Sequence, residues 1–268
     1  MSKFYKKLRN EFERDIPEKY LDFLPRSYYM LGDILLLKLN KKLIRYRKKI
    51  GLKILNLLPY VKTICLIKDI KGVKRIPKIE IIAGKKNTKT IHKEFGCRFY
   101  IDVADLMWSK GNKAEKKRLL EQVNPGEVIV DMFSGLGYFS IILAKKVEKV
   151  YSIDVNPVAT EYLRKNAFLN KVSNKIEILQ GDCRKFAPLL EGVADRIIVG
   201  YIYDTEKFLP AALKMAKKEC VIHFHKNVTD KELEKVKNKL EKHGSVTFRK
   251  IKSYSPKVWH VVYDINIY

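Results

Sequence analysis

The apolar positions in the second half of the chain form short continuous runs that alternate with segments of helical spacing. Such runs are typical of strands buried on both faces, and the spaced segments are typical of helices. The pattern predicts strands over 127–131, 149–153, 175–180, 195–199 and 219–225, with helices over 138–146, 158–170 and 207–216. It also predicts a helix over 231–242 and an antiparallel pair of strands, 246–251 and 258–265. Alternating strands and helices indicate a Rossmann-like, doubly wound, mostly parallel sheet with an antiparallel C-terminal strand.

Residues 1–100 have a different, mixed pattern. Helical spacing predicts helices over 4–14, 17–24 and 43–57, and short apolar runs predict strands over 34–39, 61–67, 78–83 and 95–103. Prolines at positions 17, 25 and 59 bound the helical segments. We therefore expect a small α+β domain over 1–100 and a Rossmann-like domain over 101–268.

Charge distinguishes the two parts further. Residues 1–100 hold 26 basic and 9 acidic residues, and the remaining residues hold 29 basic and 21 acidic ones, out of a total charge of +25. A basic segment favours a polyanionic partner, and the run from Lys41 to Lys49 mixes cations with Tyr46, as suits an RNA backbone. A solvated helix face is the alternative for that run. The first domain is thus predicted to contact RNA.

The remaining composition points to a reduced, aqueous compartment. The chain lacks an apolar run of about 18 residues, so no membrane span is expected. Residues 1–14 lack the apolar core of a secretory signal. Cys65, Cys97, Cys183 and Cys220 are widely spaced and form no metal-binding pattern, so we expect free thiols and no metal. We predict a soluble cytoplasmic protein that acts as a monomer.

Three predicted strand ends carry residues suited to a nucleoside ligand. The first strand runs into a glycine turn, Asp131-Met-Phe-Ser-Gly135-Leu-Gly137, which would let the backbone approach a ligand closely. Asp154 ends the second strand, where a carboxylate can accept from both ribose hydroxyls. Asp182 ends the third strand, where it can accept from an adenine amino group while the N–H of Cys183 meets a ring nitrogen. Three ordinary loop or cap residues are the alternative interpretation.

These residues, together with four further motifs, resemble the class I S-adenosylmethionine (SAM)-dependent transferases. More narrowly, residues 91–268 resemble the tRNA guanine-N1 methyltransferases and their relatives in the wyosine pathway. The motifs that carry the resemblance are Phe95-Gly-Cys-Arg-Phe-Tyr-Ile-Asp102, Ser109-Lys-Gly-Asn112-Lys-Ala-Glu115-Lys116-Lys-Arg118, Asp154-Val-Asn-Pro157 and Tyr254-Ser-Pro256-Lys-Val-Trp-His260. The resemblance implies SAM as co-substrate and tRNA as partner.

The end of the fourth strand separates the two branches of this family. Methyltransferases acting on nitrogen commonly carry Asn/Asp-Pro-Pro-Tyr or Asn-Leu-Pro there, whereas this chain has Gly200-Tyr201-Ile202-Tyr203. The departure favours the archaeal wyosine-pathway tRNA 3-amino-3-carboxypropyl transferases. That branch implies transfer from SAM to C7 of 4-demethylwyosine in the anticodon loop of phenylalanine tRNA, with methylthioadenosine released.

The resemblance also implies a set of site residues. Ser109 and Lys116 are candidates to bind the carboxylate of the SAM amino-acid tail. The expected SAM-binding residues are Ser109, Lys116, Phe133, Gly135, Gly137, Asp154, Val155, Asp182, Cys183, Gly200 and Tyr201. Asp102 and His225 are candidates for a catalytic role, although a structural role is an open alternative for both. His223 and His260 are weighed in the same way, and Tyr201 is either a stacking residue or a wall of the SAM pocket.

Three other functions remain open on sequence alone: SAM-dependent methylation of another RNA, which the sequence does not exclude, and the following two. The first is SAM-dependent guanine-N1 methylation of tRNA, which the strand-four motif disfavours. The second is an RNA-binding protein with a relict SAM fold, which would not need the glycine turn, Asp154 and Asp182 together. Binding of SAM would distinguish an enzyme from the relict.

Overall fold

A computed structural model describes residues 2–72, 76–108 and 110–268 of the chain. The chain divides into two compact units. The first comprises Met1–Glu94 and Arg98–Trp108, and the second comprises Phe95–Cys97 and Ser109–Tyr268. Among the described residues, no helix has the length and apolar composition needed to cross a membrane.

The first unit combines helices with a small sheet. Its elements are α1 (Lys3–Phe12), α2 (Glu18–Leu21), β1 (Tyr29–Leu31), β2 (Ile34–Leu37), α3 (Arg47–Leu57), β3 (Thr63–Lys71), β4 (Ile76–Gly84), β5 (Lys89–Glu94) and β6 (Cys97–Asp102). The sheet has the order β1-β2-β3-β4, and β2 runs parallel to β3. Apolar residues of α1, α3 and the sheet form its core, including Leu8, Ile50 and Ile64. This arrangement confirms the predicted α+β domain.

The second unit contains the long alternation of strands and helices. Its elements are α4 (Lys113–Gln122), β7 (Val128–Asp131), α5 (Ser140–Leu143), β8 (Lys149–Asp154), α6 (Pro157–Leu169), β9 (Ile176–Gln180), α7 (Cys183–Phe186), β10 (Ala194–Val199), α8 (Leu209–Met215), β11 (Ala216–Thr229), α9 (Leu233–Leu240), β12 (Gly244–Ser255) and β13 (Val258–Ile267). Short 3-10 helices precede α3, α4, α8 and α9, and another follows α9.

The sheet of the second unit has the order β12-β13-β11-β10-β7-β8-β9. Strands β9, β8, β7, β10 and β11 are mutually parallel, and β13 lies antiparallel between β11 and β12. This order confirms the predicted class I SAM-transferase fold. The strand order reverses between β7 and β10, and ligands of open α/β sheets bind at the carboxyl ends of the strands beside such a reversal.

Several elements differ from the sequence-based expectations. Helix α5 covers only Ser140–Leu143, because turns occupy the residues on both sides of it. Strand β11 extends to Thr229, four residues beyond its predicted end. The short elements β1, β5 and α7 were not predicted, and neither was α4. Helix α4 escaped prediction because it buries Glu115, Lys116 and Arg118 rather than an apolar stripe.

Candidate active site

A glycine turn follows β7 at the strand-order reversal. The backbone has φ of 56° at Gly135 and 98° at Gly137, in the left-handed region that glycine tolerates. A Cβ atom at Gly137 would lie 2.5 Å from Cγ1 of Ile141 and 2.6 Å from Cδ1 of Leu163. The turn can therefore pack closely on α5 and α6 only with glycine at this position.

Asp154 ends β8 and holds the glycine turn. Its Oδ2 accepts a hydrogen bond of 2.7 Å from the N–H of Gly135, and its Oδ1 accepts one of 2.8 Å from the N–H of Asn156. Burial raises the pKa of this carboxyl above its usual range. Each carboxylate oxygen has a second lone pair, so Asp154 keeps the capacity to accept from ligand hydroxyls.

Asp131 was not among the sequence candidates, although it ends β7 beside the turn. It is fully buried, accepts a hydrogen bond of 2.7 Å from the hydroxyl of Ser140, and lies 3.4 Å from the N–H of Phe133. Burial, together with the charge of Asp154, raises its pKa to about 7. The sequence signal for this residue was an acidic residue at the end of an otherwise apolar strand. Its contacts make it a support for the turn.

Asp182 follows β9 and caps α7. Its carboxylate accepts from the backbone N–H of Arg184 at 3.0 Å and forms an ion pair with the Arg184 guanidinium, which lowers the pKa of Asp182. The next residue, Cys183, places its N–H in the first helical turn, where backbone donors have no acceptor within the helix. Burial raises the pKa of the Cys183 thiol to about 12, so the thiol is unsuited to act as a nucleophile.

Aromatic residues cluster after β7 and β10. The rings of Phe133 and Tyr201 stack with centroids 5.2 Å apart and an interplanar angle of 20°. Phe208 meets both rings edge to face. Gly200 precedes Tyr201, and a Cβ atom there would lie 3.9 Å from the ring of Phe139. The residues after β7 and β10 thus converge on one site.

The remaining expected SAM-binding residues have distinct surroundings. Val155, next to Asp154 after the end of β8, is 56% exposed. Lys116 is buried in α4, with its ammonium 5.7 Å from the ring centroid of Tyr138, the residue directly after the glycine turn. Lys116 therefore lies near the turn whose Gly135 is bound by Asp154. Ser109 lies outside the described residues.

Asp102, a catalytic candidate, belongs to the first unit. It is buried at the end of β6, and its Oδ1 accepts a hydrogen bond of 2.9 Å from the N–H of Ala104. This contact caps the turn that follows the strand. Its surroundings in that unit support a structural role.

A buried ionic network, which sequence reasoning missed, crosses the sheet. Arg118 forms hydrogen bonds of 2.9 and 2.6 Å with the two oxygens of Glu115, and it also contacts Asp264. Arg196 forms bonds of 2.7 and 3.0 Å with Glu127. His223 lies between the two arginines. The signal in the sequence was a charged or imidazole side chain within each of the strands β10, β11 and β13, namely Arg196, His223 and Asp264.

The contacts of His223 define its tautomer. Nδ1 lies 2.6 Å from Oδ1 of Asp264, and Nε2 lies 2.8 Å from Nη1 of Arg196. Arginine can only donate, so Nε2 accepts from Arg196, and the carboxylate of Asp264 can only accept, so Nδ1–H donates to it at the shortest of these contacts; Nη2 of Arg118 lies 3.2 Å from the same Nδ1. Burial lowers the pKa of His223 and keeps the ring neutral. His223 is thus a structural link in the network.

His225 and His260 form a second buried imidazole pair, with Nδ1 of His225 3.0 Å from Nε2 of His260. Within the described part of the chain, Nε2 of His225 is buried without a hydrogen-bond partner. The ring of His225 meets Phe139 edge to face at 5.9 Å. Burial lowers the pKa of each imidazole to about 3. Both rings are therefore neutral at physiological pH.

This pair predicts acid sensitivity of the fold. An unfolded histidine has a pKa of about 6.5, so between that pH and about 3 the unfolded chain binds more protons than the folded one. Stability must then fall as pH falls, and two such groups should remove about 2 kcal/mol between pH 6 and pH 5. Urea denaturation at pH 7, 6 and 5 measures this loss.

The control for this prediction is a comparison of two histidine variants. His225→Asn removes one of the buried imidazoles whose pKa is lowered in the folded protein and should reduce the pH slope. His243→Asn, at a partly exposed position, should change the slope much less. A free energy of unfolding that stays constant from pH 7 to pH 5 would show that the pair is not buried and neutral.

Comparison with known proteins identifies the family of the chain. The family model described as the TRM5/TYW2 methyltransferase domain matches residues 90–251, and the TYW2 N-terminal domain matches residues 8–88. A Methanocaldococcus jannaschii protein named tRNA(Phe) (4-demethylwyosine(37)-C(7)) aminocarboxypropyltransferase is 47% identical over 73% of this chain and 82% of its own length. A Pyrococcus abyssi protein named tRNA (guanine(37)-N(1))-methyltransferase Trm5b is 34% identical over 94% of this chain and 78% of its own length.

A solved structure extends this similarity to three dimensions. The crystal structure of Pyrococcus horikoshii TYW2 in complex with MeSAdo has a TM-score of 0.82 and 33% identity, covering 98% of this chain and 99% of that one. These matches confirm the resemblance that the motifs indicated. The chain belongs to the TRM5/TYW2 family of tRNA-modifying, SAM-dependent transferases.

Proposed function

We propose that this protein transfers the 3-amino-3-carboxypropyl group of SAM to C7 of 4-demethylwyosine in phenylalanine tRNA, with release of methylthioadenosine. The observation that carries the proposal is the strand-end site of Gly135, Asp154 and Gly200-Tyr201, in a chain whose M. jannaschii relative is named for this activity. The end of β10 lacks the Asn and Pro residues that nitrogen methyltransferases commonly place there.

The residues at the strand ends fit SAM. The N–H groups and positive φ angles of the glycine turn suit close approach of a ligand to the backbone. Asp154 supplies carboxylate oxygens for the ribose hydroxyls, and exposed Val155 supplies an apolar surface for the adenine. Asp182 and the N–H of Cys183 supply an acceptor and a donor for the adenine edge, once the Arg184 guanidinium shares or releases the carboxylate.

The choice of transferred group depends on how SAM is positioned. The sulfonium activates its methyl carbon, the methionine Cγ and the ribose C5′, and the carbon in line with the nucleophile reacts. We assign to Lys116, whose ammonium lies near the glycine turn, the role of binding the carboxylate of the amino-acid tail; its positive charge supports this role. C7 of the electron-rich tricyclic base attacks Cγ, and the bond between Cγ and sulfur breaks to release methylthioadenosine. C7 then loses its proton. The protein's main contribution is therefore orientation.

Replacement of Lys116 with methionine tests this role. Loss of one charge-assisted hydrogen bond should weaken SAM binding by about 1.5–3 kcal/mol, roughly 10- to 150-fold. The same change should leave binding of methylthioadenosine, which lacks the carboxylate, within about threefold of the native value. Calorimetric titration with the two ligands gives both numbers.

Lys145→Met is a matched control. Lys145 also lies in the second unit, and its ammonium donates a hydrogen bond of 2.8 Å to the backbone carbonyl of Asn170, the residue that follows α6. This variant should bind both ligands as the native protein does. Equal weakening of SAM and methylthioadenosine by Lys116→Met would contradict a contact to the tail carboxylate.

SAM labelled either in its methyl carbon or in its carboxyl carbon tests the proposed reaction. Each is incubated with the protein and with phenylalanine tRNA that carries 4-demethylwyosine. Carboxyl label in the tRNA without methyl label is the expected result. Methyl label alone would replace the proposal with a methyltransferase, and no label in the tRNA would refute this substrate.

The first unit is proposed to contact the tRNA, with the anticodon arm as the target region. Arg45 lies 5.2 Å from the ring centroid of Tyr20 and 4.7 Å from that of Tyr46, and Lys42 lies 4.1 Å from that of Phe23. Arg45 and Lys42 are exposed, so cations and half-buried rings share this surface. Such a combination suits phosphates and unstacked bases.

The proposal also includes a monomer in the cytoplasm. All four cysteines are free and buried, as is usual for proteins of reducing compartments.

A further inference from the structure

Two tyrosines meet at the same edge of the sheet as the glycine turn. Tyr203 follows β10, and Tyr254 lies near the end of β12. Their hydroxyl oxygens are 2.6 Å apart, and each residue is 43% exposed. Strand β12 is antiparallel to β13, which is antiparallel to β11, so the carboxyl ends of β12 and β10 lie at one edge. The pair therefore joins two strands that are not neighbours in the sheet.

Tyr203 continues the aromatic cluster of the candidate active site. Its ring meets Tyr201 edge to face at 5.6 Å, and Tyr201 stacks on Phe133. The rings of Phe133, Tyr201 and Phe208 pack against one another, whereas Tyr203 and Tyr254 are partly exposed to solvent. With their hydroxyl oxygens 2.6 Å apart and each residue 43% exposed, these two tyrosines bring more aromatic area to one place than a single ring does. We call Tyr203 and Tyr254 the tyrosine pair.

An exposed aromatic surface at this position suits a flat ring system. A hydrogen bond between exposed phenols contributes little net stability, so the fold alone gives weak reason for the pair. Stacking on aromatic side chains is a main way in which proteins hold an unstacked base. A tricyclic base has more ring area than guanine. Two tyrosine rings therefore favour binding of the tricycle over its bicyclic precursor.

We propose that the tyrosine pair is the stacking surface for the target base and selects the tricyclic base over guanine. The inference rests on the proposed function, because it takes 4-demethylwyosine as the target. It goes further in assigning substrate selection to Tyr203 and Tyr254, outside the set of SAM-binding residues.

Equilibrium binding of two tRNAs tests this selection without any transfer step. One phenylalanine tRNA carries 4-demethylwyosine and the other has guanosine at the same position, and methylthioadenosine is present in both titrations. The native protein should bind the tricyclic tRNA more tightly. Tyr203→Leu and Tyr254→Leu should each reduce that preference by roughly tenfold, with a much smaller loss of affinity for the guanosine tRNA, whose bicyclic base has less ring area to stack.

Three further variants separate the ring from the hydroxyl and from general effects. Tyr203→Phe and Tyr254→Phe keep the ring and should keep most of the preference. Tyr268→Leu removes a 79% exposed tyrosine at the end of the described chain and should change nothing. Thermal unfolding of each variant checks that the fold is retained, and the Phe variants remain informative if a Leu variant does not fold.

The outcomes distinguish this inference from the proposed function. A native preference that survives in both Leu variants would overturn the stacking role alone. A Leu variant that loses affinity for methylthioadenosine would assign the pair to the SAM site instead and would also overturn it. No preference in the native protein would overturn the substrate and the selection together, and the labelling experiment would then report independently on the reaction.

Discussion

Replacing Asp154 with asparagine should weaken SAM binding by about 2–3 kcal/mol, roughly 30- to 150-fold, and reduce transfer accordingly. Each of its carboxylate oxygens accepts one backbone N–H, from Gly135 and from Asn156, and is proposed to accept a ribose hydroxyl as well. Asparagine has one acceptor oxygen, so it cannot serve the turn and both hydroxyls. Calorimetric titration with SAM and with methylthioadenosine should show equal weakening, because both ligands contain the ribose.

The stability of the ligand-free Asp154→Asn protein should not fall by as much as its affinity for SAM does. Burial raises the pKa of Asp154, which means that the folded protein holds its charge at a cost. Removing the charge offsets part of the lost hydrogen bonding. We therefore expect the free energy of unfolding of the ligand-free variant to differ from that of the native protein by less than about 1 kcal/mol. Large destabilisation without ligand would assign Asp154 a structural role instead.

Asp182→Asn provides the comparison within the same site. Asp182 is partly exposed and already paired with Arg184, and its proposed ligand contact is a single amino group. Its replacement should weaken SAM binding by about 1 kcal/mol, less than replacement of Asp154. If Asp182→Asn had the larger effect on SAM binding, the assignment of Asp154 to the ribose and of Asp182 to the adenine would be wrong.

The strand-end residues could be predicted because their positions follow from the pattern of the chain. The apolar runs that end at Asp131 and Asp154 show where the strands end, and parallel strands present their carboxyl ends at one edge. Once alternation of strands and helices indicated a parallel sheet, Gly135 and Asp154 were expected near each other. Their bond of 2.7 Å is the contact that this expectation requires.

Residues that meet across distant strands could not be paired from sequence. Tyr203 and Tyr254 are 51 positions apart, and their contact depends on β12 running in the same direction as β10, with β13 antiparallel between β11 and β12 in the sheet. Arg196, His223 and Asp264 face one another because β10, β11 and β13 are neighbours in the sheet. Sequence shows each of these three as a polar residue in an apolar strand, but only register shows that they are partners.

Helix α4 shows a second limit. Its buried face consists of Glu115, Lys116, Arg118 and Leu119, so three of four buried positions are charged. Hydrophobic periodicity has no signal for such a helix. The family motif identified Lys116 as a site residue, but the helix that positions it depends on the ionic contacts of Arg118.

Replacing Arg118 with methionine should lower the free energy of unfolding by about 3–5 kcal/mol. The change leaves the carboxylate of Glu115, which is fully buried, without its bidentate partner. Asp264 would keep His223 as a donor but lose the guanidinium of Arg118. Burial alone would raise the pKa of Asp264, yet His223 and Arg118 hold it well below its usual range. Urea denaturation at pH 7 measures the loss.

An exposed ion pair and a double variant make this expectation specific. Lys237→Met removes an i, i+4 pair of 3.3 Å with Glu241 on the surface of α9 and should cost less than about 1 kcal/mol. Adding Glu115→Met to Arg118→Met removes the stranded carboxylate and should recover part of the loss, because a buried charge without a partner is the main penalty. If Arg118→Met cost no more than Lys237→Met, the network would not be what holds α4 on the sheet, and the position of Lys116 would need another support.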